Sequence, residues 1–228
     1  MSNNFDFINF LDESVYFYAR HTQMNDYIVD LQGWKSSNFD ANFSNLLTDI
    51  NNNFQEPLKI CEIGTWKGLT STTMANILNS NNIESKIICV DTWLGSPEYL
   101  TNGINNTNQG EMLYKRGIGF PTVYYTFVNN VCKLQLTNTI IPFPMSSIEA
   151  SNVLDFYNIK FHIIFMDCYY DYISVKTNLN SYWKLLKNNG YIFGDYYNIT
   201  SIKDAIDEFA LTNNLVLIIN ENFWVLKK

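Results

Sequence analysis

The sequence predicts an open α/β fold, doubly wound, with seven mostly parallel strands, a C-terminal antiparallel hairpin strand and an N-terminal helical extension. Three observations carry this. Short, nearly unbroken apolar runs alternate with helix-period segments five times, as strands buried on both faces alternate with their crossover helices. Four of those runs deliver an acidic residue at their carboxyl end: Glu62, Asp91, Asp167 and Asp195. The last two runs follow one another with only a turn near Asn220 between them, which makes a hairpin.

At 228 residues the chain suits one domain, 1–228, in which 1–55 is a helical cover and 56–228 the α/β core. In the cover, Phe5, Phe7, Ile8, Phe10 and Leu11, then Val15, Tyr16 and Tyr18, recur at helical spacing. Phe43, Leu46, Leu47 and Ile50 repeat at three and four. Two helices joined by a loop around Gly33 are expected to cover an edge of the sheet. A lid, or a contact between copies in a homo-oligomer, is the functional alternative.

The first strand, Leu58 to Ile63, runs into a tight glycine turn and a helix from about Lys67 to Asn79. The turn reads E-x-G-x-x-x-G, from Glu62 through Gly64 to Gly68. A dinucleotide turn, G-x-G-x-x-G, leaves its floor free of acids because a pyrophosphate sits there. A carboxylate accepts hydrogen bonds and repels phosphate, so Glu62 suits an ammonium or a sulfonium, and the turn reads as a site for S-adenosylmethionine (SAM). The same residue, with the missing middle glycine, argues against a nicotinamide-dependent oxidoreductase of the same fold class.

Lys86 to Val90 forms the second strand and delivers Asp91, placed where an acid can take both ribose hydroxyls. Residues 92–121 are rich in Gly and Asn and too long for a bare connection, so they read as a loop over the substrate. Val123 to Leu134 is a helix, and Thr139 to Phe143 the third strand. Ser146 with Glu149 makes a capping box that starts the next helix, with the backbone of Met145 and Ser146 facing an adenine. Phe161 to Met166 is the fourth strand, ending in Asp167. Tyr172, Val175, Leu179, Trp183 and Leu186 define a helix closed at Asn189-Gly190. Tyr191 to Gly194, a helix from Ile202 to Leu211, and strands Leu215–Ile219 and Asn222–Leu226 complete the chain. His162 alternates with strand neighbours as a core histidine does, and His21 lies in the cover.

A net charge of −7 and a pI near 4.8 disfavour a protein that holds nucleic acid by its phosphates. Cys61, Cys89, Cys132 and Cys168 are widely separated and mostly strand-borne, so they read as reduced thiols of a cytoplasmic protein without zinc spacing. No apolar run approaches the roughly 20 residues of a membrane span, so no membrane association is expected.

The runs CEIGTWKGLTSTTMANIL, CVDTWLGSPEYL, PTVYYTFVNNVCKLQLTNTIIPFPMSS and FMDCYYDYISVKTNLNSYWKLLKNNGYIFGDYYNITSIKDAIDEF are collinear over roughly residues 55 to 226. Together they resemble class I SAM-dependent methyltransferases, in the branch akin to macrocin-type sugar and small-molecule O-methyltransferases. The resemblance implies a Rossmann-like core and transfer to a small hydroxylated acceptor such as a sugar. It implies that Glu62 and the backbone around Gly64, Thr65 and Trp66 hold the methionine end, with Gly68 allowing close approach and Thr70 donating to the methionine carboxylate. Asp91 would bind the ribose and Trp93 flank the adenine, while Ser146 and Asp167 complete the pocket. Metal-using members present an Asp after the fourth strand and an Asp-Asp or Asp-Asn pair after the fifth. Here Asp167 and Asp195 remain as Mg²⁺ candidates and Tyr196 stands in the third place. Asp167, Asp171 and Asp195 are the candidates for general base. Tyr196 and the altered loop Cys168–Tyr170 motivate the competing reading, a SAM-fold binding or scaffold protein without catalysis.

Overall fold

The computed structural model describes residues 6–16, 28–96, 121–168 and 170–228. Its elements in chain order are α1 (Phe7–Tyr16), α2 (Phe39–Asn53), β1 (Leu58–Ile63), α3 (Leu69–Ser80) and β2 (Ser85–Asp91). Then come α4 (Val123–Lys133), β3 (Ile140–Pro144), α5 (Ser147–Phe156), β4 (Phe161–Met166) and α6 (Tyr172–Trp183). β5 (Leu186–Gly194), α7 (Thr200–Thr212), β6 (Leu217–Asn220) and β7 (Phe223–Lys227) follow.

The sheet order is β3-β2-β1-β4-β5-β7-β6. β1 to β5 are parallel, and β7 enters antiparallel between β5 and β6. Alternate residues of each central strand feed opposite cores. Cys61 and Ile63 of β1 pack with α5, α6 and α7, while Leu58 and Ile60 pack with α2, α3 and α4. On the second face Phe39, Phe165, Phe193 and Phe223 pack ring on ring, with centroids 4.9–6.4 Å apart. Truncating any one of these buried rings to alanine costs about 3–5 kcal/mol.

The crossovers β1–α3–β2 and β2–α4–β3 lie on one face, and those through α5 and α6 on the other. The winding therefore reverses between β1 and β4, which opens a crevice at their carboxyl ends. α1 wraps the β3 edge as expected. Phe7 meets Phe143 edge-on and stacks on Tyr157 at 4.6 Å, and the Tyr16 hydroxyl donates to the Ile140 carbonyl at 2.8 Å. α2 instead lies on a sheet face, with Phe39, Phe43, Leu47 and Ile50 buried.

The largest departure from the sequence reading is β5. The helix expected to run to Asn189-Gly190 stops at Trp183, and Leu186–Gly194 is one strand. The backbone of 185–190 finds partners outside any helix. The Leu185 carbonyl accepts from Phe161 N–H at 2.8 Å, and Gly190 O accepts from Lys228 N–H at 3.0 Å. A register shift between Phe161 and Ile163 absorbs the bend. Leu186 continued the helical spacing by coincidence, and sheet pairing overrode it. The hairpin turn falls on Glu221-Asn222, with Glu221 at φ +56°. No described helix is long and apolar enough to cross a membrane.

Candidate active site

The crevice holds a cavity of about 780 Å³ between the ends of β1, β2 and β4. Its floor is the turn after β1. Gly64 has φ +84°, and a Cβ there would stand 2.2 Å from the Asp167 carbonyl oxygen. Only glycine lets β1 and β4 approach this closely at the switch point. Gly68, at φ +90°, leads into α3, and a Cβ on it would press on the Phe127 ring at 3.0 Å.

Asp91, at the end of β2, holds this turn from the side. Its Oδ2 accepts from the N–H groups of Thr65 and Trp66, each at 2.8 Å, and its Oδ1 accepts from Trp93 N–H at 2.8 Å. About one lone-pair direction of the carboxylate is left for a ligand hydroxyl. The Trp93 indole donates to the Trp66 carbonyl at 2.7 Å and is buried against Tyr124 and Phe127. Trp93 was expected to flank an adenine, but it braces the turn from within the core because its ring completes the packing on α4.

Glu62 is also placed away from the cavity. Its side chain, 1% exposed, points to the α3 face, where it accepts from the Ser71 hydroxyl and, at 3.7 Å, from the Cys89 thiol. Burial pushes its carboxyl well above the ordinary value, with Asp167 and Asp91 adding to the effect, so it favours the neutral form. The expected carboxylate facing a ligand ammonium is thus a buried acid beneath the turn. Strand alternation decides this: Ile63, one residue on, is the one that lines the cavity.

Gly64, Thr65, Trp66, Thr70 and Asp167, all candidate cofactor residues, line the cavity. Ser146 caps α5, accepting from Glu149 N–H at 3.4 Å, and its neighbours Met145 and Ser147 supply the wall. Asp171 caps α6 by accepting from Ser174 N–H at 2.9 Å, which lowers its pKa. Asp195, 6% exposed, sits behind Asp167 and accepts from the Ser36 hydroxyl at 2.9 Å and the Ser36 N–H at 3.3 Å.

A family model described as a methyltransferase domain matches residues 61–197, more than half of the chain. The chain belongs to this methyltransferase family. Among solved structures, the O-methyltransferase NovP is 16% identical with a TM-score of 0.62, covering 97% of each chain. The calicheamicin methyltransferase CalS11 is 13% identical with a TM-score of 0.58, over 96% of this chain and 91% of its own. An O-methyltransferase from Bacillus cereus in complex with SAH is 13% identical with a TM-score of 0.54, over the same shares. At these identities the likeness is one of fold. Comparison with curated protein sequences gives no match.

In this methyltransferase domain the Asp167 carboxyl, which lines the cavity, is also displaced from its ordinary value. Burial first, then the Asp195 and Asp91 carboxylates, push its carboxyl up to about 7. Burial likewise raises Asp195. Among the described residues no three His, Cys, Asp or Glu side chains converge as a metal site. Asp195 is engaged by Ser36, and Tyr196, at φ +64°, packs its ring on Tyr170 at 5.5 Å. These donors do not fit the Mg²⁺ expectation.

The segment 28–36, expected as a loop around Gly33 with a lid over the ligand as the alternative to a plain edge cover, crosses the crevice mouth of the methyltransferase domain. Asn130 of α4 accepts from Asp30 N–H at 3.0 Å and donates to the Asp30 and Lys67 carbonyls at 2.6 and 2.8 Å. Lys67 Nζ meets the Asp30 carboxylate at 2.6 Å, and the Trp66 indole donates to Gln32 at 3.0 Å. Gly33 and Trp34, between these ties and Ser36, line the cavity. No spacing rule announces such a segment, because its partners lie more than thirty residues away in sequence. His162 sits at the opposite end of the sheet, accepting from Lys59 N–H at 2.8 Å, as a satisfied core histidine. His21, Tyr169 and most of the expected substrate loop, 97–120, lie outside the described residues.

Proposed function

We propose that the domain is SAM-dependent and transfers a methyl group to a hydroxyl oxygen of a small acceptor, a sugar or a similar hydroxylated molecule. The observation that carries this is that Asp167, with its carboxyl near 7, and the glycine turn line one cavity. A general base is most effective when its pKa lies near the working pH. The cavity fits the donor. The hydroxyls of Thr65 and Thr70 and the first turn of α3, which has no side-chain cap, are offered to the methionine end, Asp91 keeps an acceptor position for a ribose hydroxyl, and Val90 and Met145 supply apolar wall. No Lys, Arg or His is among the described lining residues, which suits a sulfonium and not a dinucleotide pyrophosphate.

SAM brings an already activated methyl group. The chain has to align the acceptor oxygen, exclude water and take one proton, which Asp167 does once ionised. Asp171, fixed as the α6 cap, orients the acceptor, while burial first, then the charge of Asp195, hold the Asp167 carboxyl at about 7. No step is assigned to a metal. O-methyltransferases NovP and CalS11 support an oxygen acceptor by fold alone.

Titration calorimetry with SAM and with S-adenosylhomocysteine (SAH) tests the donor, and absence of heat at millimolar ligand would overturn it. Steady turnover of SAM with any acceptor would exclude the scaffold reading.

A further inference from the structure

The two edges of the sheet are finished differently. β3, at one end, carries Pro142 and Pro144, and α1 lies over it with the Tyr16 hydroxyl on the Ile140 carbonyl at 2.8 Å. Proline and a covering helix are means by which a sheet edge is kept from pairing with another chain. β6, at the other end, has neither. Its residues, Leu217–Asn220, hold no proline, no charge and no bulge, and among the described residues no further strand pairs with it. Alternate backbone N–H and C=O groups of β6 therefore face outward.

The side chains around this edge are apolar and exposed. Val216 is 76% exposed, Ile218 54% and Ile219 46%, and Ile218 and Ile219 point to opposite faces of the sheet. Leu211, at the end of α7, is 80% exposed and is brought to the start of the strand by the turn in which Leu215 N–H donates to the Ala210 carbonyl at 2.9 Å. The strand is fixed where it stands. Leu215 and Leu217 pack on the core, and the Asn220 side-chain amide donates to the Asn42 side-chain oxygen at 2.8 Å. An exposed apolar strip on such a fixed edge marks an interaction surface.

Charge selects the occupant. The chain carries a net charge of −7, so two copies repel over most of their surface. A two-fold contact also brings residues near their own counterparts, where any charge would meet its like. From Phe209 to Asn220 there is no charged residue. A partner of opposite charge would find no anchor on this strip, whereas an identical strip meets it without repulsion. Two antiparallel β6 strands about a two-fold axis pair their outward groups with one another, and neither copy keeps an open edge there. Four residues make a short strand, so the flanking side chains have to supply area. Leu211, Val216, Ile218 and Ile219 together expose roughly 500 Å², and about twice that across a two-fold pair reaches the ~1,000 Å² at which specific interfaces begin.

We infer that β6 is the contact between two copies of this chain, joined edge to edge and antiparallel so that one sheet runs through both. The contact lies at the opposite edge of the sheet from α1, and it does not depend on the methyltransferase reading.

The test is analytical ultracentrifugation of the full chain over a concentration series, with a dimer expected by about 100 μM. Ile218→Lys sets like charges against each other across the two-fold axis and should raise the dissociation constant at least about tenfold, with thermal unfolding verifying that the variant is folded. Phe156→Lys, at a side chain 82% exposed on α5, should leave the dimer as it is. Hydrogen exchange of the wild type needs no variant: the amides of 216–220 should exchange more slowly in the dimer than in the monomer. A chain still monomeric at about 100 μM, a dimer that survives in folded Ile218→Lys, a dimer broken by Phe156→Lys, or concentration-dependent protection on α1 in place of 216–220 would each overturn the inference.

Discussion

The Asp91 carboxylate accepts the N–H groups of both Thr65 and Trp66 at 2.8 Å, so the end of β2 fixes the turn that leaves β1. That turn carries Trp66 at φ +51°, a conformation a large side chain rarely adopts unaided. The acid expected to serve the ligand therefore also holds the backbone on which the ligand rests.

Asp91→Ala is expected to lower stability by about 2 kcal/mol, the cost of losing charge-assisted hydrogen bonds, and to weaken SAH at least about tenfold. Asp91→Asn should fall between, since one amide oxygen still accepts from the turn while its NH₂ cannot accept from Trp93. Thermal unfolding and calorimetry check both. Wild-type SAH affinity in the alanine variant would show that the turn stands by itself.

Asp167→Asn should reduce transfer by about 10²–10⁴-fold while leaving SAH affinity within a few-fold. In the wild type the rate should rise with pH to about 7 and level off above, because the base works only when ionised. Binding of the cationic donor favours the ionised carboxyl, so SAM should release protons at neutral pH and SAH fewer. Calorimetry in two buffers of different ionisation enthalpy measures this. A rate flat from pH 5 to 9 would remove Asp167 from the role.

Glu62 has a folded pKa raised well above its ordinary 4.5, so above that pH the folded chain binds a proton that the unfolded chain has lost. Stability must then fall as pH rises through this window. Glu62→Gln should cost less than about 1 kcal/mol at neutral pH, because the amide oxygen can accept from Ser71 and no charge is required. Its denaturation midpoint should depend less steeply on pH than that of the wild type. Parallel pH profiles would mean that Glu62 is ionised in the folded state.

Asp30→Asn leaves the Lys67 ammonium, 6% exposed, without its partner at 2.6 Å. A fully buried orphaned charge costs about 3–5 kcal/mol, and because Asp30 is itself 45% exposed the expected loss is nearer 2 kcal/mol. Lys67→Met in the same chain should recover most of it. Urea unfolding of the two single variants and the double variant measures the coupling, and purely additive effects would show that the pair contributes nothing.

Much of this architecture was legible beforehand. β1 and β4 begin and end where the mostly apolar runs do, and the polar residues they bury, Glu62 and His162, each have a hydrogen-bond partner. Ser146 stands at a helix start, where a side-chain oxygen can meet the second or third amide, whereas Asp171, expected only as a candidate base, is shown by the structure to cap α6. β5 was misread because Leu186 satisfies helix spacing and strand burial alike, and only the neighbouring Phe161 backbone breaks the tie.

The site divides in the same way. Motif order placed acids at the ends of four strands around a glycine turn, and the collinear set of motifs, rather than Glu62 alone, pointed to the class of cofactor. The tertiary structure decided which of those acids face the ligand. Glu62 and Trp93 turned inward, since neighbouring strand residues point to opposite faces and a large indole completes the nearer core. Asp91 became a brace as well as a wall. The segment 28–36 reached the crevice through Asn130, Lys67 and Asp195, partners that only the folded chain brings together, because contacts between residues so far apart leave no period in the sequence.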